Sequence, residues 1–212
     1  MTLLPIAVGD IHGRLDLLDN MLAQFSDRRF VFLGDLTDRG PDSPGVVARV
    51  RELVKAGRAV CCMGNHDQMM MLTVLDGNAS AEDCWGQNGG HDTVGQYSSY
   101  AALTEDALWM REHMHPWHIE GHVLFSHAMR PHLSDPEAHL WGRPNTTPLY
   151  PLPEGVTHSV HGHTPMDACP FAYGADDGTV VWFIDSGAVW TGRLSVLDTE
   201  TMTPTVIAQV TP

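Results

Sequence analysis

FVFLGDLTDRG, residues Phe30 to Gly40, joins an apolar β-rich run to a loop crowded with ionisable groups. A short run of this kind that stops at Gly-Asp predicts a buried strand whose carboxylate emerges at the strand end, where a ligand can reach it. Asp35 is therefore a candidate strand-end ligand, and Asp38 and Arg39 follow within one turn of the same loop. The heptapeptide Gly34 to Gly40 brings a metal ligand, a second acid and an anion clamp into one small volume.

The pattern recurs on both sides. Leu3 to Val8 is a β-like run ending in GDIHG (9–13), and Arg58 to Met63 ends in GNHD (64–67). Between the first two runs, Leu15, Leu17, Leu18, Met21, Leu22 and Phe25 have helical spacing and predict a helix over Arg14 to Gln24. After the second run, Ser43-Pro44 reads as an N-cap and first-turn proline, opening a helix through Val46, Val47, Val50, Leu53 and Val54 to Gly57. A Met-rich helix from Gln68 to Leu75 follows the third run, and its Met69-Met70-Met71-Leu72 is core packing. Three βα units in succession predict an α/β fold with its ligands on the carboxyl edge of the sheet.

From Asp76 to His118 the pattern changes to Gly/Asn turns and short helix candidates such as Glu105 to Glu112, which predicts a helical insertion beside the site. Asn88-Gly89-Gly90-His91 lies within it and, on its residues, reads as a loop capping a helix that starts at Asp92 or Thr93. The remainder is β-rich: His118 to Phe125 with a turn at Glu120-Gly121, Thr157 to Val160, Val180 to Ile184, Arg193 to Leu197 and Thr205 to Gln209. These strands suggest a second sheet packed on the first. Pro144 to Pro153 holds four prolines and predicts an extended surface loop.

At 212 residues the chain suits one domain with a sizeable core. Its 12 basic and 26 acidic residues give a net charge of −14, which argues against duplex nucleic acid or anionic lipid as partner. A phosphate-bearing substrate must be attracted locally, and bound divalent cations can do that. Cys61, Cys62, Cys84 and Cys169 show neither zinc-ligand spacing nor a disulfide framework. MTLLPIAVGD carries no basic leader, and no apolar segment approaches the ~20 residues of a membrane helix, so a cytoplasmic protein is expected.

The strand ends collect Asp10, His12, Asp35, Asn65 and His66, to which later strand ends add Ser126-His127-Ala128 and His161-Gly162-His163-Thr164. Oxygen and imidazole donors without thiolate suit Mn²⁺, Fe or Zn²⁺ better than Ca²⁺ or Mg²⁺ alone. There is no Cys-x5-Arg loop, GxxxxGK[ST] loop or GxSxG elbow, which leaves metal-assisted hydrolysis among the phosphate chemistries. Of the 13 histidines, His113, His115, His118, His122, His132, His139 and His158 read as surface or insertion residues. His161 shares a strand face with His163 and reads as its neighbour beside the site.

GDIHG, GDLTDRG and GNHD, spaced 25 residues from Asp10 to Asp35 and 30 from Asp35 to Asn65, resemble the metallophosphoesterase superfamily and, within it, the phosphoprotein phosphatase family. Asp67 in place of the usual eukaryotic Glu and Thr37 in place of Val resemble its compact bacterial branch. The resemblance implies one calcineurin-like metallophosphoesterase domain over 1–212, an αββα sandwich of two mixed sheets flanked by helices, with the insertion at about 76–118. It implies two divalent metals, Mn²⁺ first and Fe or Zn²⁺ as alternatives. Asp10, His12 and Asp35 would hold one, and Asp35 would bridge to a second completed by Asn65, His127 and His163.

By the same resemblance His66 is the general acid oriented by Asp38, Arg39 binds phosphate, and Arg143 is the candidate second arginine. Asp185-Ser186-Gly187-Ala188 resembles a late family segment that supports the site, and Asn88-Gly89-Gly90-His91 resembles a stretch of the bacterial branch in which the insertion approaches the substrate, an alternative to the capping loop. The implied activity is a serine/threonine protein phosphatase acting through a metal-bound hydroxide by direct in-line displacement, with a phosphoprotein or small phosphoester as substrate. The alternatives are a symmetrical bis(5'-nucleosyl)-tetraphosphatase, whose branch often lacks the acid at Asp38, and a catalytically silent binding scaffold.

Overall fold

The computed structural model describes residues 3–209. The three apolar runs become β1 (Ile6–Val8), β2 (Phe30–Phe32) and β3 (Ala59–Cys62), each followed by a helix: α1 (Leu15–Gln24), α2 (Ser43–Lys55) and α3 (Asn65–Asp76). The insertion forms α4 (Ala79–Gln87), α5 (Gly90–Gln96) and α6 (Tyr100–His113), and leads into β4 (Met114–His115). Then come β5 (Trp117–Glu120), β6 (Val123–Ser126), α7 (Ala138–Trp141), β7 (His158–His161), β8 (Phe171–Gly174) and β9 (Val180–Phe183). The chain closes with α8 (Ala188–Thr191), β10 (Arg193–Asp198) and β11 (Thr203–Ala208).

Two mixed sheets result. The first runs β11-β10-β1-β2-β3-β4, with β1 to β4 parallel and β10 and β11 antiparallel; the second runs β5-β6-β7-β9-β8, with β6, β7 and β9 parallel. Strand alternation sorts the apolar side chains between the layers. Ile6, Val8, Phe30, Phe32 and Cys61 pack among the helices, while Ala7, Val31, Leu33 and Cys62 meet Val123, Phe125, Val160 and Ile184 between the sheets. The result is two mixed sheets flanked by helices, as the sequence predicts.

Several boundaries differ from the sequence expectation. Helix α2 is capped by Asp42, whose carboxylate accepts from Gly45 N at 2.8 Å, and Ser43 is already its first residue. Ser43 is fully buried, and its hydroxyl instead accepts from Asp38 N at 3.1 Å. Helix α3 starts at Asn65, three residues before the apolar pattern at Gln68. Its polar first turn breaks the periodicity and takes partners outside the helix, His66 N donating to Asp35 Oδ1 at 3.0 Å. Helix α5 starts at Gly90 behind a left-handed Gly89 (φ 109°), ahead of the Asp92 or Thr93 start. Helix α6 outruns Glu105–Glu112 at both ends, α4 falls within the expected helical insertion, and α7, α8, β4 and β8 have no counterpart in the sequence expectation. Pro144 to Pro153 contains no regular element, as expected. No described helix is long and apolar enough to cross a membrane.

Phe125 is fully buried where the sheets meet, whereas Leu133 is fully exposed. Phe125→Ala is expected to cost about 3–5 kcal/mol and Leu133→Ala less than about 0.5 kcal/mol. Denaturant midpoints at unchanged slope measure both, and equal losses would refute the packed inter-sheet layer.

Candidate metal centre

The parallel strands of both sheets end on one edge, and that edge gathers the candidate residues. Asp10 and His12 follow β1, Asp35 follows β2, Asn65 and His66 open α3 after β3, His127 follows β6, His163 follows β7 and Asp185 follows β9. All eight are buried, none more than 7% exposed. Two compact groups share Asp35: His12, Asp35 and His66 form one, and Asp35, His127 and His163 the other. Asn65 joins the second group, its Oδ1 lying 3.0 Å from His127 Nε2 and 3.1 Å from His163 Nδ1.

Asp10 sits just outside both groups, with its carboxylate oxygens accepting from His163 N at 3.0 and 3.1 Å. Gly162 makes that approach possible, because a Cβ there would collide with the Asp10 carboxylate. Gly64 plays the same part for Asp35, whose carboxylate and backbone N occupy the space a side chain would need. None of His113, His115, His118, His122, His132, His139 and His158 joins either group. His161 is buried nearby, with Nδ1 3.1 Å from Ser126 Oγ, and it too stands outside them.

Backbone strain marks the same place. Among the described residues six non-glycine positions have positive φ, and five of them are His12, Asp35, Asp38, Arg39 and His163. Left-handed backbone at such residues costs on the order of 1–3 kcal/mol each and persists only where the surroundings impose it. Asp67 imposes much of it: Oδ2 accepts from Asp35 N at 2.7 Å and Gly64 N at 3.0 Å, and Oδ1 accepts from Leu36 N at 3.1 Å. Burial and the nearby Asp35 charge push the Asp67 carboxyl up to about 7 despite those three donors.

Lone pairs decide whether these residues fit a divalent cation. His12 Nδ1 lies 2.8 Å from Thr37 O and His127 Nδ1 2.9 Å from Leu33 O; a carbonyl only accepts, so both Nδ1 atoms carry the proton. His127 Nε2 is therefore a lone pair 3.4 Å from an Asp35 oxygen, and His12 Nε2, at the same distance from Asp35, accepts from Arg39 Nη1 at 2.9 Å. His127 Nε2, Asn65 Oδ1 and Asp35 Oδ1 thus converge as electron-pair donors, an arrangement that a cation satisfies. Charge agrees with this. Burial, then Asp185 and Asp35, hold Asp10 well above the usual carboxylate range, and burial, then Asp35 among other groups, raises Asp185 to about 6. Burial works against the Asp35 carboxylate too, but the surrounding imidazoles, His127 foremost, outweigh it and hold the acid below its usual range. Burial brings His12 and His163 down to about 3 and lowers His127, which suits neutral ligands.

His66 differs from these histidines. Its Nδ1 lies 2.6 Å from Asp38 Oδ2, and its Nε2 is 4.0 Å from Asp35 Oδ2. Burial alone would depress it, yet the Asp35 charge and the Asp38 bond leave it above its ordinary value. Two residues of the insertion complete the support: Trp85 Nε1 lies 3.0 Å from both Asp38 oxygens, and Thr93 Oγ1 donates to Oδ1 at 2.6 Å. Sequence reasoning missed Trp85, Thr93 and Asp67 in these roles. The available signal was weak: Trp85 and Ala81 are the only buried residues of an otherwise solvated α4.

Arg39 and Arg143 flank the centre. Arg39 Nη1 lies 2.9 Å from His12 Nε2, and Arg143 Nη1 donates to His163 O at 3.3 Å and Thr164 Oγ1 at 3.2 Å. A cleft of about 920 Å³ opens beside Arg39 toward α1 and α5.

A sandwich of two mixed sheets with a buried His/Asp cluster on their common carboxyl edge defines a metal-dependent phosphoesterase. The chain belongs to the calcineurin-like phosphoesterase family, whose model matches residues 5–178. It is 32% identical over 206 residues to serine/threonine-protein phosphatase 1 of Salmonella typhimurium, covering 89% of this chain and 88% of that one. A symmetrical bis(5'-nucleosyl)-tetraphosphatase of Ralstonia nicotianae is 42% identical over 74 residues, 34% of this chain and 26% of that relative. A metallophosphoesterase from Sphaerobacter thermophilus superposes with a TM-score of 0.62 at 15% identity, covering all of this chain and 89% of the other; that likeness concerns the fold.

Because Asp35 belongs to both groups, Asp35→Asn is expected to lose bound metal most severely, while His12→Gln and His163→Gln each weaken one site. Elemental analysis after Mn²⁺ loading and desalting measures this. Wild-type metal content in Asp35→Asn would refute the shared-ligand geometry.

Proposed function

We propose that the chain is a metal-dependent phosphomonoesterase, a serine/threonine protein phosphatase that uses two divalent ions, Mn²⁺ foremost. The observation that carries this is the buried Asp38–His66 pair, with its 2.6 Å contact and its two further donors from the insertion. A serine or threonine alkoxide is a poor leaving group, and a positioned imidazolium that protonates it contributes typically ~10²–10⁴-fold. Asp38 accepts the Nδ1 proton of His66, so Nε2–H faces the centre and the leaving oxygen.

Bound at Asp35 and its neighbours, divalent ions would activate a water for in-line attack and neutralise phosphoryl charge. The two guanidinium groups, whose planar forks match phosphate oxygens, hold the substrate: Arg39 from the His12 side and Arg143 from the His163 side. Asp10, through the His163 N–H, fixes the loop that presents His163. The similarity to the Salmonella phosphatase over most of both chains supports the phosphoprotein reading. The similarity to the tetraphosphatase extends over about a third of this chain and keeps dinucleoside tetraphosphate as the competitor to test.

His66→Asn is expected to lower kcat by about 10²–10⁴-fold while keeping its metal. If it loses metal instead, His66 is a ligand rather than the proton donor. Trp85→Phe and Thr93→Val each leave Asp38 short of one donor, and a smaller loss in kcat with little change in KM is expected. With Mn²⁺, phosphoserine peptides and aryl phosphates should be turned over faster than diadenosine tetraphosphate. The reverse order would overturn the assignment.

A further inference from the structure

The outer face of the second sheet is closed unevenly. Around β9, Val181 and Phe183 pack with Met129, Leu149 and Met166. Over β5 and β6 a cavity of about 570 Å³ remains, lined by Trp117, Ile119 and Leu124. These three share one face of the sheet, because Trp117 and Ile119 are two residues apart on β5 and Ile119 stands opposite Leu124. Pro131, Pro136, Pro151 and Pro153 add rigid walls. Large apolar side chains are left open to solvent here: Trp117 is 44% exposed, Ile119 39%, and Leu133 completely. A cavity of this size, apolar but for a few polar groups, is the usual form of a small-molecule site.

The ionisable groups of the lining are all basic. They are Arg130, His132 and His139, and no lining residue is acidic, in a chain whose net charge is −14. Asp135 and Glu137 flank Pro136 outside the lining, and Asp135 accepts from Tyr150 Oη at 3.3 Å. Arg130 is fully buried. It donates to Ser159 Oγ and Tyr150 O at 3.0 Å, to Asp177 Oδ2 at 3.1 Å and to Thr179 Oγ1 at 2.6 Å. A guanidinium carries five N–H groups, so one on Nη2 is left without a protein acceptor among the described residues. Asp177 is the carboxylate paired with it and is itself 40% exposed, so the buried positive charge is only partly offset. Burial lowers His139, which leaves a neutral ring edge-on to Trp117 at 5.6 Å.

We infer that this cavity binds a small arylalkyl carboxylate, which acts as an effector of the metal centre. The flat faces of the proline rings and the Trp117 indole suit an aryl body, and Arg130 supplies the charge for the carboxylate. The cavity shares no lining residue with the cleft beside Arg39, so its occupant is distinct from a substrate. Its wall is nevertheless continuous with the centre. Ala128 N donates to His139 O at 2.8 Å and Met129 N to Ala138 O at 3.1 Å, which clamps the segment after His127 to α7. His127 precedes this clamp and Arg143 follows it, while Arg130 and His139 stand on its two sides. An occupant that touches both steadies the clamp and, with it, the side chain that His127 presents to Asp35. Linkage then requires the ligand and the metal to strengthen each other's binding.

The test titrates the Mn²⁺-loaded protein calorimetrically with 4-phenylbutyrate and with its uncharged analogue 4-phenylbutan-1-ol. The carboxylate is expected to bind at least about fivefold more tightly than the alcohol. Ile119→Glu, which puts a negative charge on the lining, is expected to weaken the carboxylate by about tenfold or more, and Ile119→Lys to keep it within about threefold of wild type. Both substitutions lie at a half-exposed position of an edge strand, and thermal midpoints within a few degrees of wild type confirm folding. Absence of binding, equal binding of acid and alcohol, or equal losses in the two variants overturns the site. A concentration-dependent dimer that Ile119→Glu dissociates assigns the face to a second copy of this chain and overturns it as well. The apparent Mn²⁺ dissociation constant is expected to fall about fivefold at saturating 4-phenylbutyrate. Binding that leaves that constant unchanged overturns the effector role.

Discussion

Three backbone N–H groups converging on the Asp67 carboxylate hold this site together. They belong to Asp35, Leu36 and Gly64, so one side chain ties the loop after β2 to the loop after β3. With that tie in place, Asp35 is held at φ 52° with its carboxylate facing His12, His66 and His127. The strain at His12, Asp38, Arg39 and His163 is of the same kind. Each of these residues must send a side chain inward from a loop that is already reversing direction. The stability for this comes from elsewhere, from the apolar layers on either side of the first sheet.

The sequence was informative about this arrangement where local chemistry determines the outcome. An apolar run ending in Gly-Asp is a strand whose end carries an acid, whatever the rest of the chain does, and β1 and β2 formed accordingly. The apolar spacing of α1 and α2 was equally local. Legibility failed where the partner is remote. Asn65, His66 and Asp67 look like a loop because their helix has no apolar first turn. They are helical because the Asp35 carboxylate and the Asp67 contacts satisfy its first N–H groups. Trp85 and Thr93 reach Asp38 across 47 and 55 residues of chain, and no periodicity in a helical insertion announces such a contact. Strand β8 exists because β9 offers it an edge, which is again a tertiary fact.

The charge balance is resolved on two length scales. Over the whole chain the charge of −14 opposes phosphate. Within the centre, three buried acids, Asp10, Asp35 and Asp185, raise the cost of further negative charge, and bound cations would offset it. Arg39 and Arg143 supply fixed positive charge at the rim, and the donor groups around Asp35 are suited to hold the rest. Attraction of an anionic substrate is therefore a property of the loaded centre, and it is short-ranged in salt. An extended polyanion meets this negative charge more strongly than a single phosphoryl group does.

The histidines of the centre stand in two different electrostatic environments. His12, His127 and His66 all turn Nδ1 away from the centre and Nε2 toward it. For His12 and His127 the Nδ1 partner is a backbone carbonyl, a neutral acceptor that fixes the tautomer and adds little to the stability of an imidazolium. Burial then dominates, and both rings are held below their ordinary titration range. For His66 the partner is the carboxylate of Asp38, a full charge in a buried setting. That charge, with the charge of Asp35, outweighs the same burial and favours the protonated ring. In the proposed reading, the difference between a metal ligand and a proton donor follows from what lies behind each ring. The insertion matters for this reason: without Trp85 and Thr93 the Asp38 oxygens would retain two unused acceptor positions and greater freedom to turn, and His66 would lose the fixed charge that sets it apart from its neighbours.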